Sequence, residues 1–356
     1  MAPISLPSLS DPKKIYTDEW KDRLYKYFHQ GAQFSDSAPY YWAFTFERQW
    51  AEHRQGVALE LRLARAISHW MPLAGKRVLI MGSFLGQEAI AYALCGAVVV
   101  AIDLDQEALN LSEELARRHG VCIETHNADA CAAPFAAESF DLVSCSQVLE
   151  HLPPKQQPLL LHEMWRLCRP GGLLWIDTPN QFSYKDKHDT GLPFIHWLPR
   201  PIKTRLARMF RRDIVTNEPS FGFGKVGLHY YMSYFGIMKT FRRLGACKIL
   251  SKYHGYADIE HYSEQRILEG RAHGPVFRLK LRILRLMMHF WDFNWLSGVK
   301  MVVQKMPDTP RSHALRGNAL TATLCVVRPE TELREKAGSH AECGNQNPIQ
   351  AGGPCK

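Results

Sequence analysis

Two glycines and an aspartate have the types and spacing of a nucleotide-binding site. An apolar run at 78–81 stops at Gly82, Gly86 follows, and a second apolar run ends at Asp103, which is 21 positions after Gly82. In a strand-helix-strand unit, glycines let the backbone approach a ligand, and an acid at the tip of the second strand accepts ribose hydroxyls. This loop lacks the dinucleotide pattern GxGxxG, so the residues indicate a different adenosine ligand.

The sequence around these residues alternates between short β-rich runs and amphipathic helices. Asp105 can cap a helix that Gly120 would end in a left-handed conformation. Strands separated by helices in this way predict an α/β fold with a doubly wound, parallel sheet. The predicted strands are 78–81, 98–102, 121–124, 142–145 and 173–176, and the predicted helices between them are 87–94, 105–119 and 156–168.

Changes in composition divide the chain into segments. The strand-helix alternation is lost after Asn180, returns briefly, and is absent from the polar, glycine-containing C-terminal residues. We therefore predict an N-terminal helical cap at 1–74, a ligand-binding core at 75–180, an insertion or substrate lid at 181–235, a core helix and strand at 236–251, a basic amphipathic insertion at 252–317, a last core strand at 318–329 and a disordered tail at 330–356.

Composition limits the classes of protein that fit. The chain has 356 residues, 46% of them hydrophobic and 22% charged, as in a soluble globular protein with a sizeable core. Nine cysteines include no CxxC pair, which argues against a disulfide framework or a zinc site and favours a reducing compartment. The first residues lack the apolar run of a signal peptide, so we expect a cytoplasmic location.

Four segments, at 78–86, 101–105, 127–152 and 163–180, together resemble the class I S-adenosylmethionine-dependent methyltransferases. The resemblance is to the branch that contains the ubiquinone-biosynthesis O-methyltransferases and related bacterial small-molecule and glycolipid methyltransferases. It covers about 77–180 closely, including the Pro-Gly-Gly turn at 170–172. It implies a mostly parallel, seven-stranded sheet with N-terminal helices and two helical insertions, and S-adenosyl-L-methionine as the cofactor.

The resemblance also assigns the cofactor-binding residues. It places the methionyl end against the glycine loop, the ribose on Asp103, the adenine amino group near Asp129, and the transferable methyl beside the end of the fourth strand. The implied contacts are Gly82, Ser83, Phe84, Gly86, Asp103, Leu104, Asp129, Ala130, Ser146 and Gln147.

Two positions depart from the pattern of this family. Relatives often have an acid two residues before the first loop glycine, where this chain has Ile80, and the middle glycine of the loop is Phe84 here. A side chain at position 84 restricts φ, so the loop is either reshaped or uses Phe84 to pack against the cofactor. A non-catalytic scaffold on the methyltransferase fold therefore stays an alternative.

Two histidines are candidates for chemistry on the acceptor. His188, beside Asp189 and just after the fifth strand, is the preferred general base, and His151 is the second catalytic candidate. Some ubiquinone-pathway relatives hold a divalent metal with a Glu-x-x-Glu-His cluster, but here Gln147 replaces the first carboxylate. Because the remaining set has only one carboxylate, we expect no metal.

The net charge of the chain is +9, and basic residues are concentrated in two segments that also contain many apolar residues. The segment 200–212 combines six basic residues with apolar residues at helical spacing, and 276–297 combines basic residues with an aromatic stripe. Both patterns suit peripheral contact with an anionic membrane, and a helical lid with solvated arginines explains them equally well. A basic surface is also typical of RNA-binding proteins, although no RNA-binding module is recognisable in this sequence.

Together these residues predict a methyltransferase that acts on a small-molecule or lipid-linked acceptor, with a hydroxyl as the expected site of methylation. An RNA methyltransferase is the alternative with the same chemistry, and the non-catalytic scaffold is the alternative outside enzymology.

Overall fold

In a computed structural model of the chain, the described residues are 11–30, 46–186, 189–210, 228–253 and 298–307, with individual positions between 255 and 286. All of the elements named below lie in one compact unit, Met1–Asp308. The helices are α1 (Pro12–Ile15), α2 (Asp18–Gln30), α3 (Phe46–Ser68), α4 (Gln87–Leu94), α5 (Gln106–Arg118), α6 (Gln157–Leu167), α7 (Arg200–Phe210) and α8 (Tyr234–Leu244).

Seven strands form one sheet. They are β1 (Arg77–Met81), β2 (Val98–Asp103), β3 (Glu124–Asn127), β4 (Phe140–Ser146), β5 (Cys168–Pro179), β6 (Cys247–Ser251) and β7 (Gly298–Lys305), in the order β3-β2-β1-β4-β5-β7-β6. Strands β1 to β5 pair in parallel, whereas β7 is antiparallel to both β5 and β6. The predicted fold class, a mostly parallel doubly wound sheet of seven strands, is confirmed.

The alternation of side chains along the strands explains why helices cover both faces of this sheet. In β5, Leu174 and Ile176 join an apolar cluster that includes residues of α6 and α8, while Leu173 and Trp175 join a cluster on the opposite face that includes residues of α3 and α4. Because successive strand residues point to opposite faces, each face needs its own apolar cover.

The local signals that predicted α5 have the expected geometry. Asp105 caps the helix by accepting the N–H groups of Glu107 and Ala108 at 2.9 and 3.0 Å. Gly120 follows the helix with a φ of 72°. The side-chain cap at the first turn and the left-handed glycine after the last turn thus define both ends of the helix.

One strand prediction was wrong, and one strand lies where the sequence predicted an insertion. The third strand is Glu124–Asn127 rather than 121–124, because the apolar Val121 and Ile123 pack against a cluster before the strand begins. The seventh strand is Gly298–Lys305, inside the segment 252–317 that the sequence assigned to an insertion. The strand predicted at 318–329 and the tail at 330–356 lie outside the described residues.

The helix α4 begins at a glycine that no other residue can replace without strain. Gly86 has a φ of 75°, and an added Cβ would lie 2.6 Å from the Cβ of Ser112 on α5. Gly120 has a similar φ of 72° but no atom within 4 Å of an added Cβ. Substitutions at Gly86 and Gly120 therefore share the cost of a left-handed backbone, and only the substitution at Gly86 adds a steric clash.

We predict that Gly86→Ala lowers the free energy of unfolding by about 2–4 kcal/mol, because it adds a steric clash to the left-handed backbone penalty. The control Gly120→Ala has only the backbone penalty, about 1–2 kcal/mol. Urea unfolding monitored by circular dichroism measures both losses. Adding Ser112→Gly to Gly86→Ala removes the side chain that clashes, so the double variant should lose only about as much stability as Gly120→Ala. Equal losses in Gly86→Ala and Gly120→Ala would contradict the clash.

Candidate active site

The glycine loop between β1 and α4 lies at the carboxyl edge of the sheet, where the strand order reverses between β1 and β4. Gly82, Phe84 and Gly86 have φ values of 74°, 47° and 75°. An added Cβ at Gly82 would lie 2.3 Å from Cγ2 of Val148, so the loop after β4 requires a glycine here. The hydroxyl of Ser83 is buried and has no hydrogen-bond partner among the described residues.

Asp103 joins this loop to the tip of β2. Its Oδ2 accepts the N–H of Phe84 at 2.8 Å, and its Oδ1 accepts the N–H of Asp105 at 3.0 Å. Burial raises the pKa of the Asp103 carboxyl, although these backbone hydrogen bonds act in the opposite direction. Because a carboxylate offers about four acceptor positions, Asp103 can accept further hydrogen bonds from a pair of hydroxyls.

Phe84 turns its ring away from the sheet and toward the N-terminal helices. Its ring centroid lies 6.2 Å from that of Tyr27 and 6.2 Å from that of Phe28, both on α2. The Tyr27 hydroxyl donates to Oδ2 of Asp105 at 2.7 Å. Helix α2 therefore covers the position at which relatives have a loop glycine, and the aromatic contacts offset the unfavourable φ of Phe84.

The ends of β2 and β3 are tied together beside Asp103. The side-chain amide of Asn127 donates to the carbonyl oxygens of Asp103 and Leu104 at 3.1 and 2.9 Å. Asp129 caps the short 3₁₀ turn Ala130–Ala132 through Oδ1. The side chain of Leu104 is 70% exposed, so an apolar surface lies directly beside the Asp103 carboxylate.

The end of β4 is held by the end of β5. Gln147, with a φ of 57°, donates its backbone N–H to the carbonyl oxygen of Asp177 at 2.7 Å and its side-chain amide to Oδ1 of Asp177 at 2.9 Å. Lys300 on β7 forms an ion pair with the same carboxylate. The hydroxyl of Ser146 accepts the indole N–H of Trp175 at 3.0 Å. Ser146 and Gln147 are thus fixed by neighbours on β5.

A buried carboxylate lies next to Ile80, the position at which relatives often have an acid. Ile80 is in register with Ser144 on β4, and the Ser144 hydroxyl donates to Glu88 in the first turn of α4. Burial raises the pKa of the Glu88 carboxyl, and the hydroxyls of Ser144 and Ser146 lower it. The carboxylate therefore reaches this part of the site from α4 instead of from β1.

Glu60 on α3 extends the same group of carboxylates. Burial, with a further contribution from the charge of Glu88, raises the pKa of Glu60 to about 8, against an opposing effect of Lys300. One lysine thus faces three carboxylates, those of Glu60, Glu88 and Asp177. Such a group is stable when protons compensate part of the negative charge.

Of the two histidines that the sequence predicted to be catalytic, the structure describes one. His188 lies outside the described residues. His151 ends the 3₁₀ turn Leu149–His151 after β4, and its ring meets that of His229 edge to face, with the centroids 4.6 Å apart. The structure therefore brings His151 together with a histidine that the sequence did not indicate.

Asp189, expected beside His188, binds His229. Its Oδ1 accepts from Nδ1 of His229 at 2.5 Å, and its Oδ2 accepts the backbone N–H of His229 at 2.8 Å. The ammonium group of Lys203 on α7 lies 3.0 Å from Oδ2. The side chain of Asp189 is 1% exposed, so this carboxylate is buried against His229 and Lys203.

A second buried aspartate lies beside this pair. Oδ1 of Asp186 accepts the hydroxyl of Tyr231 at 2.5 Å, and Oδ2 accepts the hydroxyl of Thr190 at 2.9 Å. Lys203 lies over the ring of Tyr231, 4.5 Å from its centroid. Burial, together with the charges of Asp189 and Asp186, raises the pKa of the Tyr231 hydroxyl. The segment 228–232 is therefore bound to the chain after β5 by polar contacts.

The candidate metal ligands are used in other contacts. The amide of Gln147 binds Asp177, and the carboxylate of Glu150 accepts the hydroxyl of Thr178 at 3.0 Å. Within the described parts of the chain, no group of three or more His, Cys, Asp or Glu side chains is arranged to hold a metal ion.

The sequence missed three residues that the structure places at this edge. His229 lies 40 positions after its partner Asp189, so no local pattern linked them. Lys203 was assigned to a solvated basic face, but it is buried. Glu88 was the one with a usable signal, since an acid within an otherwise apolar helix start indicates a buried polar contact.

Comparison with known proteins identifies the central part of the chain. A family model described as a methyltransferase domain matches residues 79–176. A ubiquinone biosynthesis O-methyltransferase of Pseudomonas putida is 34% identical over 116 residues, which are 32% of this chain and 49% of that protein. One of Aromatoleum aromaticum is 37% identical over 111 residues, 31% of this chain and 46% of that protein. The chain thus spans about half the length of these relatives.

Residues 79–176 are a class I S-adenosylmethionine-dependent methyltransferase domain. Among solved structures, an S-adenosylmethionine-dependent methyltransferase of Mesorhizobium loti is similar at 14% identity and a TM-score of 0.41, over 67% of this chain and 95% of that one.

The residues of the methyltransferase domain fit its cofactor, S-adenosyl-L-methionine. The hydroxyl of Ser83, which has no partner among the described residues, and the left-handed glycine loop leave polar groups and backbone available to a ligand. Asp103 retains acceptor capacity for the ribose hydroxyls. When bound, the cofactor supplies an electrophilic methyl group on a sulfonium.

The carboxylates of the domain predict how its stability depends on pH. Because the pKa of Glu60 is raised to about 8 from 4.5, the folded state holds a proton that the unfolded state loses, and stability decreases as the pH rises between these values. We expect Glu60→Gln to raise the melting temperature at pH 8 by on the order of a few degrees, and much less at pH 5.

Thermal unfolding of the wild type and the variant at both pH values measures this difference. Glu52→Gln, at an exposed position of the same helix, is the control, and its difference from the wild type should be the same at both pH values. Melting temperatures of Glu60→Gln that stay parallel to those of the wild type across the pH range would contradict the prediction.

Proposed function

We propose that the whole protein is an S-adenosylmethionine-dependent methyltransferase that methylates an oxygen of a small-molecule or lipid-linked acceptor in the cytoplasm, at the surface of a membrane. The observation that carries this proposal is the position of a polar, histidine-containing cluster beside the end of β4, on the same edge of the sheet as Asp103. That arrangement offers one region to the cofactor and a neighbouring one to an acceptor that must lose a proton.

The proposed cofactor contacts follow the edge of the sheet. Asp103 takes the ribose hydroxyls, the exposed side chain of Leu104 packs against the adenine, and Asp129 accepts its amino group near Ala130. The end of β4 flanks the methyl group. The proposed contacts are Gly82, Ser83, Phe84, Gly86, Asp103, Leu104, Asp129, Ala130, Ser146 and Gln147. Because the ring of Phe84 packs on α2, its backbone rather than its side chain faces the ligand.

Oxygen is the proposed acceptor atom for two reasons. The relatives that match this domain are named ubiquinone biosynthesis O-methyltransferases. A hydroxyl needs a base when it attacks the methyl group, and the edge beside β4 carries His151 next to His229. His151 and His188 are the two catalytic candidates from the sequence, and His188 lies outside the described residues.

Membrane contact is proposed because α7 exposes apolar and basic side chains on the same surface. Ile202, Met209 and Phe210 are 49%, 56% and 62% exposed, and Arg205 and Arg208 are also exposed. A helix with this composition fits the boundary between headgroups and acyl chains of an anionic bilayer. Lys203 does not contribute, since it points inward to Asp189.

The segment 276–297 adds a similar stripe at its described positions. Val276, Leu279, Ile283 and Leu286 are helical, follow one another at spacings of three, four and three residues, and are each at least 50% exposed. Apolar side chains that recur at this spacing share one helix face. The exposed side chains at the described positions of both segments therefore support the proposed contact through 200–212 and 276–297.

None of the described helices has the length and apolar character needed to cross a bilayer.

We predict that the wild type binds S-adenosylmethionine and S-adenosylhomocysteine in isothermal titration calorimetry, and that Asp103→Ala weakens both by about 10- to 100-fold. The reason is the loss of charge-assisted hydrogen bonds from the ribose. Glu107→Gln, an exposed acid in the first turn of α5, is the control and should keep its affinity. If the wild type bound neither compound, or if Asp103→Ala bound both normally, the cofactor site would be wrong.

Membrane contact predicts co-sedimentation with phosphatidylglycerol vesicles and little with phosphatidylcholine vesicles. The double variant Arg205→Glu, Arg208→Glu should lose about 30-fold or more in vesicle affinity, because each basic side chain contributes about 1 kcal/mol at an anionic surface. Met209→Ser with Phe210→Ser should also release the protein.

Arg117→Glu on α5 and Leu159→Ser on α6 are the matched controls, since both residues are exposed away from α7. Equal binding to both kinds of vesicle, or no effect of the α7 variants, would contradict the proposal. Retention of transfer RNA in the same salt range without vesicle binding would favour the RNA methyltransferase.

A further inference from the structure

The buried carboxylate of Asp189 holds one histidine in a single orientation. It accepts from Nδ1 of His229 at 2.5 Å and from the backbone N–H of the same residue at 2.8 Å. Both the ring and the backbone of His229 are thereby fixed to one side chain. A histidine that serves only as a surface residue has no need of two such bonds.

The chemistry of the partners determines which ring nitrogen carries the proton. An ionised carboxylate can only accept hydrogen bonds, so Nδ1 of His229 is the donor. In the neutral ring, Nε2 then has a lone pair and can accept a proton. Asp189 therefore sets the tautomer of His229 that a general base requires.

Lys203 lies against the buried carboxylate as its counter-charge. Its ammonium group lies 3.0 Å from Oδ2 of Asp189, and the side chains of Lys203 and Asp189 are 6% and 1% exposed. A buried carboxylate is stable when it is paired and hydrogen-bonded, so Lys203 supports the arrangement in which Asp189 accepts from Nδ1 of His229. Among the described residues, Asp189, Lys203 and His151 are charged or titratable groups that lie next to His229.

The backbone places this histidine over the ends of β4 and β5. The N–H of Tyr230 donates to the carbonyl oxygen of Glu150 at 2.9 Å, and Met232 forms a bridge with Asn180, which follows β5. His151 meets the ring of His229 at 4.6 Å. His229 therefore lies beside the chain that continues from Ser146 and Gln147.

We propose that His229 is the catalytic base that accepts the proton of the acceptor hydroxyl, and that Asp189 and Lys203 are its positioning residues. This inference rests on the proposed O-methylation. The O–H bond of the acceptor breaks as Nε2 of His229 takes the proton, and the oxygen forms a bond to the methyl carbon. The methyl donor keeps the electron pair of the broken carbon–sulfur bond, and His229 releases the proton to solvent.

The test uses His229→Asn, because the amide of asparagine can still donate to Asp189 while Nε2 is removed. The probe is the organic extract of cells from which this gene is deleted, incubated with S-adenosylmethionine carrying a tritiated methyl group. We expect the variant to transfer label about 100- to 10,000-fold more slowly than the wild type. Its rate should rise in proportion to hydroxide concentration, because solvent then removes the proton.

Two measurements on the same proteins do not depend on activity. The affinity for S-adenosylhomocysteine and the melting temperature of His229→Asn should equal those of the wild type. Nitrogen-15 spectra of the wild-type histidines should show His229 protonated at Nδ1 and bare at Nε2, and Asp189→Asn should change that tautomer. His162→Asn, an exposed histidine on α6, is the matched control and should match the wild type in every assay.

The outcomes separate the two proposals. If the wild type transferred no label to the extract, the proposed function would fail, and the role of His229 with it. If the wild type transferred label and His229→Asn did so at the same rate, only the role of His229 would be overturned. A loss confined to His151→Asn would assign the base to His151, and a proton on Nε2 of His229 would also overturn the proposal.

Discussion

The two hydrogen bonds accepted by Asp103 are the constraint on which the site depends. They connect the loop after β1, through Phe84, with the loop after β2, through Asp105, so that the edge of the sheet acts as one unit. Helix α2 adds to this unit from outside, because Tyr27 contacts Phe84 and binds Asp105. The loop has Phe84 where the family pattern has a glycine. Contacts from Tyr27 on α2 compensate for this change, and the carboxylate of Asp103 stays bonded to both loops.

Charged groups gather on both sides of the end of β4. On one side, Lys300 faces the carboxylates of Asp177, Glu88 and Glu60, and on the other, Lys203 faces that of Asp189. In each group the lysine comes from an element late in the chain, β7 or α7. The Lys203–Asp189 pair is buried on both sides and is costly to desolvate, so its presence is better explained by the placement of functional groups than by stability. The positioning of Gln147 by Asp177 and of His229 by Asp189 is consistent with that explanation.

Local patterns predicted most of the strands and helices in the first half of the chain, because each was short-range: an apolar run, a capping acid, a left-handed glycine. The elements in the second half of the chain were harder to predict. The residues 298–305 carry a short β-branched run, but they follow a long apolar stretch, and their membership of the sheet rests on pairing with β5, more than a hundred residues earlier. Lys203 was misassigned for the same reason. A lysine on an amphipathic helix is solvated unless a buried acid faces it, and the helical period contains no information about that acid.

The sequence by itself determined the fold class and the resemblance to methyltransferases over about 77–180, and it indicated the acid at 103, since these depend on spacing within single strand-helix units. Only the tertiary structure decided which groups meet at the edge of the sheet. It paired Asp189 with His229 across 40 positions, brought Glu88 beside Ile80 from a different element, and turned Phe84 onto α2. The physical reason is that hydrogen bonds and ion pairs act over a few ångströms in space, whereas the patterns legible in a sequence extend over only a few turns of a helix or residues of a strand.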